Sequence, residues 1–217
     1  MKLRQFIHQW VWLVLIFFCI VGLIYPVIGG AALICMLAPI LVAFFKGRMW
    51  CGNFCPRGSF NDIVLSKLTL KRRMPAVFKQ TWFRIVFLIV LMSAFAIQLT
   101  LVWGNLIMVG EVFVRMIVIT TLVAILLGII YNQRAWCLIC PMGTLAHFAA
   151  KMGHLNGKRK DIRFIKGKCV DCKVCTKSCP IHIEVHRYKQ EGRVTDPDCL
   201  KCGTCIETCP KKSLYIA

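Results

Sequence analysis

The sequence predicts an α-helical membrane bundle followed by a small α+β domain built around cysteines. Three observations carry this expectation. Four long apolar runs cross a chain that is 58% hydrophobic, well above the level of soluble domains. A motif of arginine, tryptophan, two cysteines and proline occurs twice, each time after a pair of those runs. Eight of the fourteen cysteines fall in two matched groups near the C-terminal end.

A basic entry with Lys2 and Arg4 precedes the first span, residues 9–25, which together with Phe6 and Ile7 approaches the ~20 apolar residues a helix needs to cross the hydrocarbon core. No small-residue cleavage site follows, so the run reads as an uncleaved span. Pro26 disfavours helix at Tyr25 and marks a tight reversal. The second span runs from Val27 to Phe45, with Gly29, Gly30, Ala31 and Ala32 as a small-residue face and Pro39 as a kink. Ser59 and Asp62 read as the N-cap and first-turn acid of a surface helix that puts Phe60, Ile63, Val64 and Leu68 on one face. The third span is Ile85 to Val102, a loop extends from Trp103 to Gly110, and the fourth span runs from Val112 to Tyr131. Glu111 and Arg115 have the spacing of a helical ion pair.

Residues 1–168 hold twenty Lys/Arg against three acids, Asp62, Glu111 and Asp161, and residues 169–217 hold eight against six. The basic excess brackets the apolar runs, which makes it a topology signal and argues against a nucleic-acid partner. The reversal at residues 25–26 and the 103–110 loop carry no Lys or Arg. A multi-pass protein of the inner (cytoplasmic) membrane follows, with four transmembrane helices and both termini cytoplasmic. The expected domains are 1–153 in the membrane, with two cytoplasmic Cys-Pro loops; 154–168 as a basic linker that rests Lys158, Arg159 and Lys160 on anionic head groups; and 169–217.

The last segment reads Cys169-x2-Cys172-x2-Cys175-x3-Cys179-Pro180 and then Cys199-x2-Cys202-x2-Cys205-x3-Cys209-Pro210. This run holds [4Fe-4S] clusters, and in two-cluster ferredoxins the fourth cysteine of each run ligates the other cluster. Cys169, Cys172, Cys175 and Cys209 are therefore assigned to cluster 1, and Cys199, Cys202, Cys205 and Cys179 to cluster 2. Structural zinc or disulfides fit two matched four-cysteine runs poorly. Residues 162–165 and 213–216 are expected to pair as short strands, and 185–188 with 193–195 to form a hairpin.

The membrane half contains an internal duplication. Arg48-x-Trp50-Cys51-x3-Cys55-Pro56-x-Gly58-Ser59 matches Arg134-x-Trp136-Cys137-x2-Cys140-Pro141-x-Gly143-Thr144. An even number of spans separates the two, so the hairpin repeats are parallel and both motifs face one side. Three readings compete. Cys51, Cys55, Cys137 and Cys140 ligate a third metal or iron–sulfur site, its negative charge offset by Arg48 and Arg134; each pair is a redox dithiol; or the segments shape a turn and dock the C-terminal domain. Trp50 and Trp136 read as interface anchors, and Cys19 and Cys35 as small apolar residues. His8, His147, His154, His182 and His186 offer no pair facing across the bundle for haem.

Four spans, two Cys-Pro motifs and an eight-cysteine run together resemble the NapH/MauN family of ferredoxin-type membrane proteins, and a similar core is present in NosR and CcoG. The resemblance implies a membrane-bound iron–sulfur electron-transfer subunit that relays electrons between the quinone pool or a cytosolic donor and a partner oxidoreductase. It implies a subunit of an oxidoreductase complex rather than a stand-alone enzyme, with quinone as a candidate cofactor near Arg48, Trp50, Arg134 and Trp136. The alternative is a membrane ferredoxin that supplies electrons for maturation or metal-centre assembly of another redox enzyme.

Overall fold

The computed structural model describes residues 2–70, 72, 74–153 and 161–216. The expected head-group contact of Lys158, Arg159 and Lys160, and His154, lie outside the described residues. Helices α1 (Lys2–Trp10) and α2 (Trp12–Ile24) lead through a tight 3-10 segment, Pro26–Ala31, into α3 (Ala32–Lys46). The first motif forms α4 (Met49–Asn53) and α5 (Pro56–Ile63). A second hairpin, α6 (Thr81–Leu101) and α7 (Leu106–Ile130), precedes the second motif in α8 (Ala135–Ile139) and α9 (Pro141–Gly153). The last domain comprises β1 (Ile162–Phe164), α10 (Val174–Lys177), α11 (Thr204–Glu207) and β2 (Leu214–Ile216).

Four helical stretches, Phe6–Ile24, Pro26–Lys46, Thr81–Leu101 and Leu106–Ile130, are long and apolar enough to cross a membrane. Their outward faces expose Phe17, Leu23, Ile34, Val90 and Leu122, as lipid-solvated surfaces do. The hairpins meet at glycine. A Cβ on Gly29 would collide with the Gly110 carbonyl, and one on Gly110 with the Pro26 carbonyl, so backbones touch where small residues permit it. Ala32 is buried as well, whereas Gly30 faces open space. Below this crossing Phe95 packs edge-on against Phe113 at 5.0 Å. At the motif end α3 and α9 come together through the fully buried Ala43, Ala146 and Ala150.

Several local expectations change. The fourth span begins at Leu106 rather than Val112, because the Asn105 side chain accepts from the Ile107 and Met108 amides at 3.1 and 3.4 Å, an N-cap that starts the helix early. Gly110 is consequently a contact residue within a helix. Arg115 donates to Gln98 of α6 at 2.8 Å, an inter-helix bond in place of the ion pair with Glu111. Ser59 is not an N-cap: α5 starts at Pro56 with Cys55 as its cap, and the Ser59 hydroxyl donates to the His8 carbonyl. That helix stops at Ile63 instead of running along the surface to Leu68.

In the C-terminal domain β1 and β2 pair antiparallel, Ile162 opposite Ile216 and Phe164 opposite Leu214. The segment between the cysteine runs forms a 3-10 helix, Val185–Lys189, and a single bridge from Arg193 to Arg163, not a hairpin. This domain shares one hydrophobic core with the membrane motifs: Leu200, Ile181 and Val194 cluster with Cys51, Ala135 and Leu138.

Candidate functional site

Both motifs fold alike because the same chemistry starts each helix. Proline suits the first helical position, where no N–H is needed, and holds the preceding residue extended. Cys55 and Cys140 occupy that position with φ/ψ of −68/119° and −52/129°. Each second cysteine is thereby set at a helix N-terminus. The first cysteine of each pair, Cys51 or Cys137, lies in the short helix before it.

The two repeats exchange arginines. Arg134 Nη1 donates to the Cys51 carbonyl at 2.8 Å and lies 3.6 Å from Cys137 Sγ. Arg48 Nη2 donates to the Cys137 carbonyl at 2.5 Å. Each guanidinium rests on the other repeat's glycine: a Cβ on Gly58 would lie 2.6 Å from Arg134 Nη1, and one on Gly143 2.7 Å from Arg48 Nη2. Both arginines are buried, 1% and 0% exposed, and buried charge must be paired. Arg134 forks onto Asp62 at 2.8 and 2.5 Å, and His8 Nε2 lies 3.0 Å from the same carboxylate. Arg48 bonds Asp198 of the C-terminal domain at 2.7 Å. Arg84 of α6 joins Asp198 at 3.0 and 2.9 Å, and His147 Nδ1 is 2.9 Å from it.

Burial opposes the charge of both carboxylates and is outweighed by these partners. Asp62 comes down to about 2, with Arg134 and His8 responsible, and Asp198 is held far below the usual carboxylate range by His147, Arg48 and Arg84. Burial pushes the Cys51 thiol up, and the Cys55 thiol up to about 12. Thiols held protonated are poor nucleophiles, which weighs against a free redox dithiol at Cys51 and Cys55, whereas a bound metal ionises its thiols outright.

All four motif cysteines line one cavity of about 390 Å³ that continues between the spans past Phe18, Met36, Met92 and Met116. Three buried donors on its wall have no partner: Arg48 Nε, Arg57 Nε and Trp136 Nε1. Arg57 reaches α7, with Nη2 2.9 Å from Thr120 Oγ1, and lies over the Trp136 ring at 5.7 Å. Trp136 is 2% exposed and packs edge-on against Phe87 at 5.9 Å, so it is a core residue and not an interface anchor. Among the described residues no three His, Cys, Asp or Glu side chains are grouped tightly enough for a single metal ion. That holds for the eight C-terminal cysteines too.

In the C-terminal domain Cys169, Cys172 and Cys175 share a small cavity with Cys209. Cys179 lies near Cys199, Cys202 and Cys205, and burial together with these neighbouring sulfurs pushes the Cys199 and Cys205 thiols up. The two loops are conformational twins. Asp171 and Lys201, Lys173 and Gly203, His182 and Lys212 are matched positions, and each has φ between 46° and 92°. The Ile183 amide donates to Cys179 Sγ and the Ser213 amide to Cys209 Sγ, both at 3.4 Å. Left-handed residues turn successive N–H groups inward, which suits a sulfur-rich anionic group.

A family model described as a 4Fe-4S binding domain matches residues 28–75 and again 114–161, one match per repeat. A 4Fe-4S dicluster domain matches residues 161–210, spanning all eight run cysteines. An uncharacterized protein of Methanocaldococcus jannaschii is 27% identical over 90% of this chain and 76% of its own length. The putative electron transport protein YccM of Escherichia coli is 23% identical over 87% of the chain and 56% of its own. The ferredoxin-type protein NapH of Haemophilus influenzae is 27% identical over 81% of the chain and 65% of its own. Over about four fifths of its length the chain is similar to the NapH-like membrane ferredoxins. Like them it is an iron–sulfur electron-transport protein that carries 4Fe-4S domains. No solved structure is detectably similar.

Reading the NapH-like sequence by motif misses Asp62, Arg57, Arg84 and Asp198. Asp62 had a signal: with Glu111 it is one of only two acids in residues 1–153, and an acid in a half so basic has cations to neutralise. Asp198 had a weaker one, since it occupies the place where the first run has Lys168.

Proposed function

We propose that the protein relays electrons between its two ferredoxin clusters and the bilayer, with Cys51, Cys55, Cys137 and Cys140 holding one further [4Fe-4S] cluster shared by the repeats. The observation that carries this reading is the burial of the cluster-2 loop on the first membrane motif. A Cβ on Gly52 would strike the Leu200 carbonyl, and Asn53 Nδ2 lies 3.5 Å from the Lys201 carbonyl. Electron carriers exchange only at close range, and here cysteines of both sites share one core. Each repeat supplies two thiols, while a cubane takes four. The unpaired donors of Arg48, Arg57 and Trp136 match the sulfur acceptors of such a cluster. Clusters supply one-electron transfer when bound. The chain's own part is to ligate them, balance their charge with crossed arginines and exclude water.

The apolar continuation of the cavity between the spans supports quinone as the membrane-side reactant. Arg48 and Trp136 line it; Arg134 is committed to Asp62 and Cys51, and Trp50 lies off the wall. Cluster 1, with Cys172 exposed, is the side for a cytosolic donor or partner oxidoreductase. The basic loops support the cytoplasmic face of the inner membrane as the side of these events.

Anaerobically purified protein should contain about 12 iron atoms per chain at four per cluster. Cys51→Ser and Cys137→Ser should each lower this to about 8 and remove the same EPR signal. Wild-type iron and signals in both variants rule out the shared cluster.

A further inference from the structure

Matching the repeats at Cys55 and Cys140 sets Asp62 opposite His147. The two half-sites are otherwise alike. In each, an arginine from the other repeat bonds the carbonyl of the first cysteine, lies on the glycine after Cys-Pro, and is neutralised by one carboxylate that also binds a histidine. In the first half-site that carboxylate belongs to the repeat itself, as Asp62. In the second the repeat offers His147, and the carboxylate arrives from the residue preceding the cluster-2 ligand Cys199.

We infer that Asp198 is a positioning residue for the membrane cysteine site, completing its second half only while the cluster-2 loop is seated. Among the described residues Asp198 is the sole carboxylate paired with Arg48 or Arg84, which are 1% and 3% exposed. Removing it leaves two buried guanidiniums facing each other, the arrangement that buried electrostatics tolerates least. Arg48 then loses its anchor while its other nitrogen still holds the Cys137 carbonyl, so the disturbance passes into the motif. A simple docking pin would engage an exposed cation and leave the motif unaffected. The redox meaning of this device rests on the four-cysteine cluster proposed above; the structural claim does not.

The test is amide hydrogen exchange on the full-length, cluster-loaded protein in lipid nanodiscs, with iron measured on the same samples. Asp198→Asn should raise exchange about tenfold both in residues 199–205 and in residues 134–144. Adding His147→Asp, which gives the second repeat its own acid, should return 134–144 to wild-type protection and leave 199–205 fast. A rise confined to 199–205 in Asp198→Asn, or no recovery of 134–144 in the double variant, overturns the inference. If Asp198→Asn fails to accumulate, Arg84→Lys keeps the charge and loses the fork, and must raise both segments together; a rise in one alone overturns it. Failure of the four-cysteine reading appears separately, as unchanged iron in Cys51→Ser.

Discussion

Asp62 shows what one carboxylate does in a basic, buried setting. Its acidity, shifted to about 2 by Arg134 and His8 against the effect of burial, compares with about 3.9 in an unfolded chain. A carboxylate depressed in this way stabilises the fold fully above the unfolded value and loses its contribution as pH falls through the folded one. Asp62→Asn is expected to lower the unfolding free energy at pH 7 by about 2 kcal/mol or more. The gap to wild type should hold down to about pH 4 and close towards about pH 2, which thermal unfolding across that range measures. Gly58 and Gly143 constrain the same guanidiniums sterically. With a Cβ only 2.6 and 2.7 Å from arginine nitrogens, Gly58→Ala or Gly143→Ala should cost roughly 1–3 kcal/mol. Gly30→Ala, with nothing within 4 Å, should stay within about 0.5 kcal/mol of wild type.

Helix starts decide much of the architecture. Cys-Pro begins α5 and α9, and Asn105 begins α7 one turn above Gly110. Had α7 started after Gly110, the close crossing on Pro26 and Gly29 would have no helical partner. Asn105→Ala should therefore cost about 1 kcal/mol and speed exchange at Ile107 and Met108, read by hydrogen-exchange mass spectrometry. These details also show where the sequence is legible. Spans, the duplicated motif and the paired strands follow from apolar run length, residue identity and cysteine spacing, all local. Asp62 looked like a first-turn acid because Ser59-x-x-Asp62 fits a cap, and Trp136 like an anchor because tryptophan favours interfaces. Both were settled instead by groups more than 70 residues or a whole helix away: Arg134 for Asp62 and Phe87 for Trp136. Local pattern carries no trace of such partners.

At the scale of the whole molecule the ferredoxin domain has an inside and an outside. Cys199 and Leu200 are 7% and 2% exposed on the membrane side, while Val170 beside cluster 1 is 59% exposed. With Cys169, Cys172, Cys175 and Cys209 as the proposed ligands of cluster 1, water-soluble oxidants should accordingly bleach that cluster first, in a time course followed by EPR. Equal rates for both clusters would contradict the buried placement of the second.

The crossed arginines carry a consequence for descent and for design. Each is encoded in one repeat and used in the other, so neither repeat is a complete unit. Two copies of a single-repeat chain, meeting across a two-fold axis, would satisfy both. A gene for half of this membrane domain thus describes one subunit of a symmetric pair. Joining the halves frees each position from obeying that symmetry, and the pair Asp62 and His147 is one place where the two repeats differ, His147 meeting Asp198 of the C-terminal domain.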